Sequence, residues 1–397
     1  MTQSVMEGAA DSTWQGFSLA ERDRRWETVR RYAAEAGLDC VVVPPGDPFN
    51  ARYLADTADS AFVLPTAGAA PVAVNDRGRG NAWVSEVRGT GNRTYGPALA
   101  QVLLDTGLER GRIGITGFEG GMLAYVRAPE GVALYGPLTE LQRRLPNATF
   151  VDATDIVGRA RYVKSGEEIE CLRRATAIAE AAIEEMIEYA RPGADAAVVY
   201  GRATGRLLEL GSEHYRHGLA LNLRDPGERS YTRYTDPPVR RRLLPGTYIT
   251  NEVSAVWSGI VAQEDQPIYL GTIPDEWKPA IDLQREVFEA GLQVMKPGTT
   301  FGELIDFTNG FGAQRGMATR ITMHGRGNSD DGPLLTTRDV GNRVRELVIE
   351  KGTAWCWKPY GVTADGEFTF QWGGDVVVTE RGGEPLMKRP HGLVAVS

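Results

Sequence analysis

The sequence predicts a chain of two domains, an α/β domain first and a longer domain of helices and strands after it. Three observations carry this. At 397 residues the chain exceeds what one compact core usually holds. Its first part alternates short β-branched runs with amphipathic stretches, as α/β domains do. The remainder opens on a long Ala/Glu/Ile-rich stretch and then gives the order helix, helix, strand, strand twice.

Residues 19–37 read as a helix: Ala20-Glu21-Arg22-Asp23 opens it, Trp26, Val29, Tyr32 and Ala33 share one face, and Gly37 stops it. Residues 39–43, closed by Pro44-Pro45-Gly46, have the form of a buried strand. Strand-like runs at 61–64 and 70–74, a helix at 97–106 and a strand at 112–116 continue the alternation. Residues 166–191 give the clearest helix, with Glu167 and Glu168 early and Arg191-Pro192-Gly193 at the end. A second helix at 196–210 is expected to lead into an irregular polar stretch up to Pro245-Gly246. Strands at 247–256 and 267–270, a helix at 277–295, another from Phe301, and strands at 354–357 and 375–379 complete the reading.

Composition narrows the partners. Hydrophobic content of 42% with 24% charged residues is globular, and the net charge of -8 offers no electrostatic footprint for a nucleic-acid backbone. Cys40, Cys171 and Cys356 are isolated and odd in number, which excludes a disulfide framework or a CxxC knuckle. Residues 1–14 lack a basic start and an apolar core, and no run approaches the ~20 apolar residues of a spanning helix. A soluble, cytoplasmic protein with no membrane and no nucleic-acid partner is expected.

The segment from Arg161 to Ala175, Arg161-Tyr162-Val163-Lys164-Ser165-Gly166-Glu167-Glu168-Ile169-Glu170-Cys171-Leu172-Arg173-Arg174-Ala175, resembles the "R-x-x-K-S-x-x-E-I-x-x-L-R-x-A" opening of the catalytic domain in the creatinase, prolidase and aminopeptidase P superfamily. Asn50-Ala51-Arg52-Tyr53-Leu54 is similar to that superfamily's "N-x-x-Y-L" loop, Lys296-Pro297-Gly298 to its "K-P-G", and Asp375-Val376-Val377-Val378-Thr379-Glu380 to its closing "D-x-V-L-V-T-E" strand. The resemblance implies an α/β creatinase-type N-terminal domain over residues 1–157 and an α+β pita-bread catalytic-type domain over 158–397.

It also directs attention to the residues with which relatives bind metal. Where metal-dependent members read "D-G-Y-x-A-D" this chain reads Ser258-Gly259-Ile260-Val261-Ala262-Gln263, and the "G-H-G-I-G" histidine corresponds to His324. "I-E-P-G" is matched by Trp357-Lys358-Pro359-Tyr360, and "I-E-D" by Gly373 beside Gly374-Asp375. Ser258, Gln263, Lys358 and Gly373 thus replace four ligands, too few oxygens for a pair of hard divalent cations. No metal and no cofactor are expected. Creatinase, as a superfamily member, supplies the metal-free precedent, and the chain resembles ectoine hydrolase around Glu252-Val253-Ser254-Ala255-Val256; the histidine on which creatinase relies aligns with Thr235, so creatine is not the expected substrate.

The candidate catalytic residues are His324, Asp331, Asp330 and Asp265, with the imidazole shuttling a proton and an acid orienting it. His324 as a structural remnant, and Asp330-Asp331 as a Gly-flanked turn, stay open beside that reading. Candidate substrate-binding residues are Lys358, Arg326, Gln371, Glu264 and Arg233, with Lys358 as a donor to a substrate carboxylate and Arg52 reaching a partner's site. His214 and His217 have metal spacing without a carboxylate, Gly114-Ile115-Thr116-Gly117 lacks a nucleotide fingerprint, and Arg240-Arg241-Arg242 reads as a solvated run. The expected function is metal-independent cleavage or rearrangement of a C–N bond in a small polar, carboxylated nitrogen compound, in amino-acid or secondary metabolism, by a homodimer. A ligand-binding pseudoenzyme and an Xaa-Pro peptidase-like hydrolase are the alternatives.

Overall fold

The computed structural model describes residues 16–121, 132–214, 218–228, 232–234, 241–336 and 340–397. They fall into two compact units, one of Gly16–Val163 with Asn328–Pro333, the other of Lys164–Gly327 with Leu334–Ser397. The division thus lies at Val163, and a six-residue segment from the later sequence joins the first unit.

In the first unit α1 (Leu19–Glu35) starts at Ser18, whose hydroxyl accepts from Glu21 N, and buries Trp26, Val29 and Ala33. After β1 (Cys40–Val43), the stretch that the resemblance suggests as a loop is instead a helix, α2 (Pro48–Ala55). The reason is local: Asp47 caps it and Pro48 stands in its first turn. Then follow β2 (Ala61–Pro65), β3 (Val72–Asn75), β4 (Val87–Gly89), α3 (Tyr95–Asp105), β5 (Arg112–Ile115), α4 (Tyr135–Arg144), β6 (Thr149–Asp152) and α5 (Thr154–Tyr162). The sheet has the order β4-β3-β2-β1-β5-β6, with β1, β5 and β6 parallel. Val42, Val63, Val74 and Ile113 pack there against Leu99 and Leu103 of α3.

A chain of buried polar groups crosses this unit. Thr116 Oγ1 donates to Asp47 at 2.5 Å, Asp47 accepts from Asn50 N and Nδ2, and Arg161 Nη1 donates to Asn50 Oδ1 at 2.8 Å. The guanidinium of Arg161 also pairs with Asp331, both side chains being buried, and Asp331 Oδ2 accepts from Asn328 N. The segment Asn328–Pro333 is thereby tied to the first unit through a charge that water cannot reach.

The second unit opens on α6 (Gly166–Tyr189), where Ser165 and Glu168 form a reciprocal capping box, and α7 (Ala196–Glu209) packs on it. The stretch expected to be irregular contains β7 (Leu219–Arg224), with Leu219, Leu221 and Leu223 buried in alternation, and β8 (Thr232–Tyr234). The long hairpin β9 (Tyr248–Trp257) and β10 (Ile260–Glu264) follows, then β11 (Ile268–Leu270), α8 (Lys278–Val294), α9 (Phe301–Gly310), β12 (Ala318–Arg320) and β13 (Met323–Gly325). The last strands are β14 (Ala354–Trp357), β15 (Tyr360–Val362), β16 (Thr369–Gln371), β17 (Gly374–Thr379), β18 (Gly382–Pro385) and β19 (Val394–Val396). They form sheets β19-β11-β9-β7-β8 with β10 beside β9, β12-β15-β16, and β13-β14-β17-β18. Among the described residues no helix is long and apolar enough to cross a membrane.

Removing one partner of a buried ion pair strands the other charge and costs about 3–5 kcal/mol. Asp331→Ala should therefore lower the unfolding free energy in urea by about that amount, whereas a loss below about 1 kcal/mol, the range of exposed pairs, would show that the pair does not hold the segment.

Candidate functional site

Strand register places the first members of the site. His324, Cys356 and Asp375 stand side by side across β13, β14 and β17. The ladder continues for two more residues, since Arg326 N bonds Ala354 O and Lys358 N bonds Thr322 O, so alternation directs Arg326 and Lys358 to the same face. The β9–β10 hairpin lies over that face: Cys356 Sγ approaches Gln263 O at 3.4 Å, and Gln263 N donates to the Asp375 carboxylate at 3.2 Å. Ser254 pairs with Gln263 in the hairpin, and the same register sets Glu252 opposite Asp265.

At the centre is Lys358. Its side chain is 1% exposed, and Nζ donates to Glu252 Oε1 at 2.8 Å, Asp265 Oδ1 at 3.3 Å and Gln263 Oε1 at 3.5 Å. Three acceptors meet the three hydrogens of an ammonium. The expected role of Lys358, as a donor to a substrate carboxylate, is corrected by this geometry, because its hydrogens are already taken and two carboxylates face it. Arg326 completes the cationic side, donating to Gln263 Oε1 at 2.8 Å and lying 3.0 Å from His324 Nδ1. His324 itself is fully buried.

A second ion pair backs the first. Arg389 donates to Glu264 Oε2 at 2.8 Å, to Gly373 O at 2.9 Å and to Gln266 Oε1 at 2.7 Å, while Asp375 N donates to Glu264 Oε1. A Cβ placed on Gly374 would strike the carboxylate of Glu264, whereas one on Gly373 would strike the carbonyl oxygen of Trp357. The empty side-chain position at the site is therefore Gly374 rather than Gly373, and Glu264 fills its space from the neighbouring strand.

Burial sets the protonation of these acids. It raises Asp265 to about 6 against the pull of Lys358, with the charge of Glu252 adding to the rise. Asp375 is raised to about 7 by burial, opposed by Arg326 and the Thr176 hydroxyl. Burial also pushes Glu264 well above the usual carboxylate range despite Arg389, and pushes the Cys356 thiol up. His391, stacked on Trp372 with centroids 3.8 Å apart, is lowered to about 3 by burial and neighbouring arginines and stays neutral.

Asp331 and Asp330 belong to the first unit, in the Asn328–Pro333 segment, where Asp331 is engaged by Arg161. Arg52, also in the first unit, is half-buried on α2 at 3.6 Å from Asp56. Gln371 lies in β16 opposite Tyr360, on the separate three-stranded sheet. Arg233 stands opposite Asn222 in β8. Thr235, His217 and Arg240 lie outside the described residues. Ser258 is the hairpin turn residue, with φ of 49°, and not a site position. The residue that sequence reasoning missed is Glu252, whose side chain is 31% exposed and is the cluster's acid most open to solvent. Alternation along the strand puts Glu252 on the face of Ser254, and the pairing of Ser254 with Gln263 is what brings it to the site.

The donor set does not suit a divalent cation. An ammonium stands between Glu252 and Asp265, an amide occupies position 263, and among the described residues no three His, Cys, Asp or Glu side chains are grouped to hold a metal ion.

Comparison with known proteins agrees with the resemblance read from residues 161–175. An uncharacterized hydrolase/peptidase, y4tM, of Sinorhizobium fredii is 27% identical over 272 residues, covering 64% of this chain and 65% of that relative. Creatinase of a Bacillus species is 22% identical over 98% of this chain and 95% of its own. Among solved structures, the Xaa-Pro dipeptidase of Bacillus anthracis superposes with a TM-score of 0.75 at 18% identity, covering 94% of this chain and all of that one, which establishes the two-domain pita-bread fold. Residues 170–380, more than half of the chain, match metallopeptidase family M24, and this chain, with its lysine among the carboxylates, belongs to that family.

Proposed function

We propose that this chain is a metal-independent hydrolase that cleaves a C–N bond in a small polar nitrogen compound, with the Lys358 ammonium providing the positive charge that metal-dependent relatives take from cations. The observation that supports it most is Lys358 Nζ lying 2.8 Å from Glu252 and 3.3 Å from Asp265. That fixed internal cation pulls the buried Asp265 carboxyl back toward its charged form without a bound metal.

The chemistry follows from what each group can do. Water adds to the carbon of the C–N bond, and Glu252 accepts the proton it sheds. Protonated Glu252 then passes that proton to the departing nitrogen, so the cycle ends with a C–O bond, an N–H bond and the Glu252 carboxylate restored, while Lys358 stays beside it as a fixed charge. Arg326 and Gln263 offer donors to an oxygen that gains charge in the transition state. The accessible face of the cluster is acidic, so the substrate's nitrogen end, and not a carboxylate, is the part that meets Glu252. A homodimer is part of the same proposal, with Arg52 on α2 directed to the partner, and light scattering tests it. The structural likeness to an Xaa-Pro dipeptidase supports a second reading, hydrolysis of Xaa-Pro dipeptides, which the assays below separate from the first.

Elemental analysis of the purified protein is expected to find well under one divalent metal per chain, and a thermal-shift screen of guanidino, amidino and cyclic amino acids should yield a ligand whose turnover survives chelator. About two Mn, Zn or Fe per chain, with Xaa-Pro hydrolysis abolished by chelator and restored by metal, would overturn the proposal.

Glu252→Gln keeps the side-chain shape and should lower kcat by about 10²–10⁴ with a smaller effect on KM. Lys358→Met leaves two carboxylates facing each other and should cost about 3–5 kcal/mol of stability as well as activity; a Lys358→Met protein that unfolds and turns over like the parent would remove the lysine from the mechanism.

Asp265 and Asp375 also set a pH dependence. Both keep their protons to higher pH in the folded chain than in the unfolded one, which releases them near the ordinary aspartate value. Their contribution to stability is thus complete below about pH 4 and is lost as the pH rises through about 6 and 7. Asp375→Asn should flatten the fall of Tm across that window, and an unchanged slope would show that Asp375 titrates normally.

A further inference from the structure

The ladder that β9 makes with the strands beside it is interrupted at the Lys358 cluster. On one side it ends with Val253 opposite Glu264 of β10, and on the other it begins with Ile249 opposite Ile268 of β11. The register is the same on both sides, so Glu252, Asn251 and Thr250 face Asp265, Gln266 and Pro267 across a gap of three pairs. Within that gap Asp265 N turns away to Gly373 O at 2.9 Å. A closed ladder would set two acids directly opposite each other, where like charges repel. In the open one, the Lys358 ammonium bonds both.

One side chain spans the gap. Asn251 Oδ1 accepts from Gln266 N at 3.0 Å, and Asn251 Nδ2 donates to Gln266 O. These are the two bonds that a ladder pair exchanges, made here by an amide side chain in place of a peptide group. Both residues are buried, so water does not compete for the bonds. Each end is also held from behind. Asn251 stays in the ladder on its other edge, opposite Leu221 of β7. Gln266 Nε2 donates to Gly392 O at 2.6 Å, and its Oε1 accepts from Trp372 Nε1 at 3.1 Å and Arg389 Nη1 at 2.7 Å. The cross-link thus joins two anchored residues, one next in sequence to Glu252 and the other next to Asp265.

We infer that Asn251 is a positioning residue for the Lys358 cluster, its amide holding the two strands at the separation at which Glu252 and Asp265 both reach one ammonium. Asparagine suits the task because its short amide carries a donor and an acceptor together, whereas an ionised aspartate only accepts. Without the cross-link the ladder is open over all three pairs, and Glu252, more exposed than Asp265, is the acid free to leave Lys358. The consequence for turnover rests on the hydrolase reading above, whereas the consequence for the ion pair does not.

Lysine-selective ¹⁵N NMR of the full chain tests the inference, since Lys358 is one of six lysines and its buried ammonium should exchange hydrogen slowly. Lys358→Arg identifies its Nζ signal by removing it. Asn251→Ala is expected to speed hydrogen exchange at Lys358 Nζ at least about tenfold through local opening. Asn251→Ser, read in its place if the alanine variant does not fold, should do the same, because one hydroxyl cannot meet both groups of Gln266. Ile249→Val, a destabilising change in the same strand, should leave the Lys358 signal and its exchange as in the parent. For any C–N compound that the parent hydrolyses, Asn251→Ala should lower kcat by about tenfold to a hundredfold with KM within about twofold. A parent without such turnover overturns the hydrolase reading alone, because the exchange rates still decide the role of Asn251. Unchanged exchange in the Asn251 variants, equal acceleration in Ile249→Val, or a parent Lys358 ammonium that exchanges as fast as that of the exposed Lys351 would each overturn the assignment.

Discussion

An ammonium buried beside two carboxylates is the constraint to which the rest of the second unit is fitted. Taking Lys358 out of water is costly unless every hydrogen finds an acceptor, and Glu252, Gln263 and Asp265 provide one each. Those three side chains can converge because the β9–β10 hairpin is in a register that sets 252 against 265 and 254 against 263. The adjoining substitutions depend on one another too. Gly374 gives up its side-chain volume to Glu264, and Glu264 in turn requires Arg389, brought in from the segment before β19. The residues that differ from the metal-binding pattern therefore read as one coordinated replacement, in which covalently attached cations stand among the acids.

The sequence made most of the fold legible through local chemistry. The early acids Glu167 and Glu168 and the Arg191-Pro192-Gly193 stop announced α6, and short apolar runs announced β1, β2, β3 and β5 of the first sheet. Where reading failed, longer-range packing decided. The 219–224 strand was hidden because its leucines alternate with small and polar residues inside a stretch full of charges, and only pairing with β9 fixes it. The helix Pro48–Ala55 was concealed by its brevity, although Asp47 and Pro48 are ordinary start signals.

At the site the pattern was similar. Residue types lost from the superfamily's motifs could be counted, but their geometry could not. Gly373 and Gly374 are adjacent, and which one vacates a ligand position depends on whether a side chain meets a backbone carbonyl or a neighbouring carboxylate. Ser258 stands where the motif has a ligand when the two are aligned along the chain, whereas the hairpin makes it a turn residue and hands the place to Glu252. The shared lesson is that a ligand set is read across strands, and the sequence runs along them.

The pairing of Arg161 with Asp331 joins residues 170 positions apart within one compact unit. During synthesis the first unit is complete in all but six residues long before those six exist, and its buried guanidinium waits for a carboxylate made nearly at the end. Loop closure over such a span is slow and entropically expensive. Residues 16–163 should accordingly behave as an unfinished body on the ribosome, and the unit cannot be cut out at its apparent boundary and still have all its charges answered. The chain has two compact units but a single point of completion.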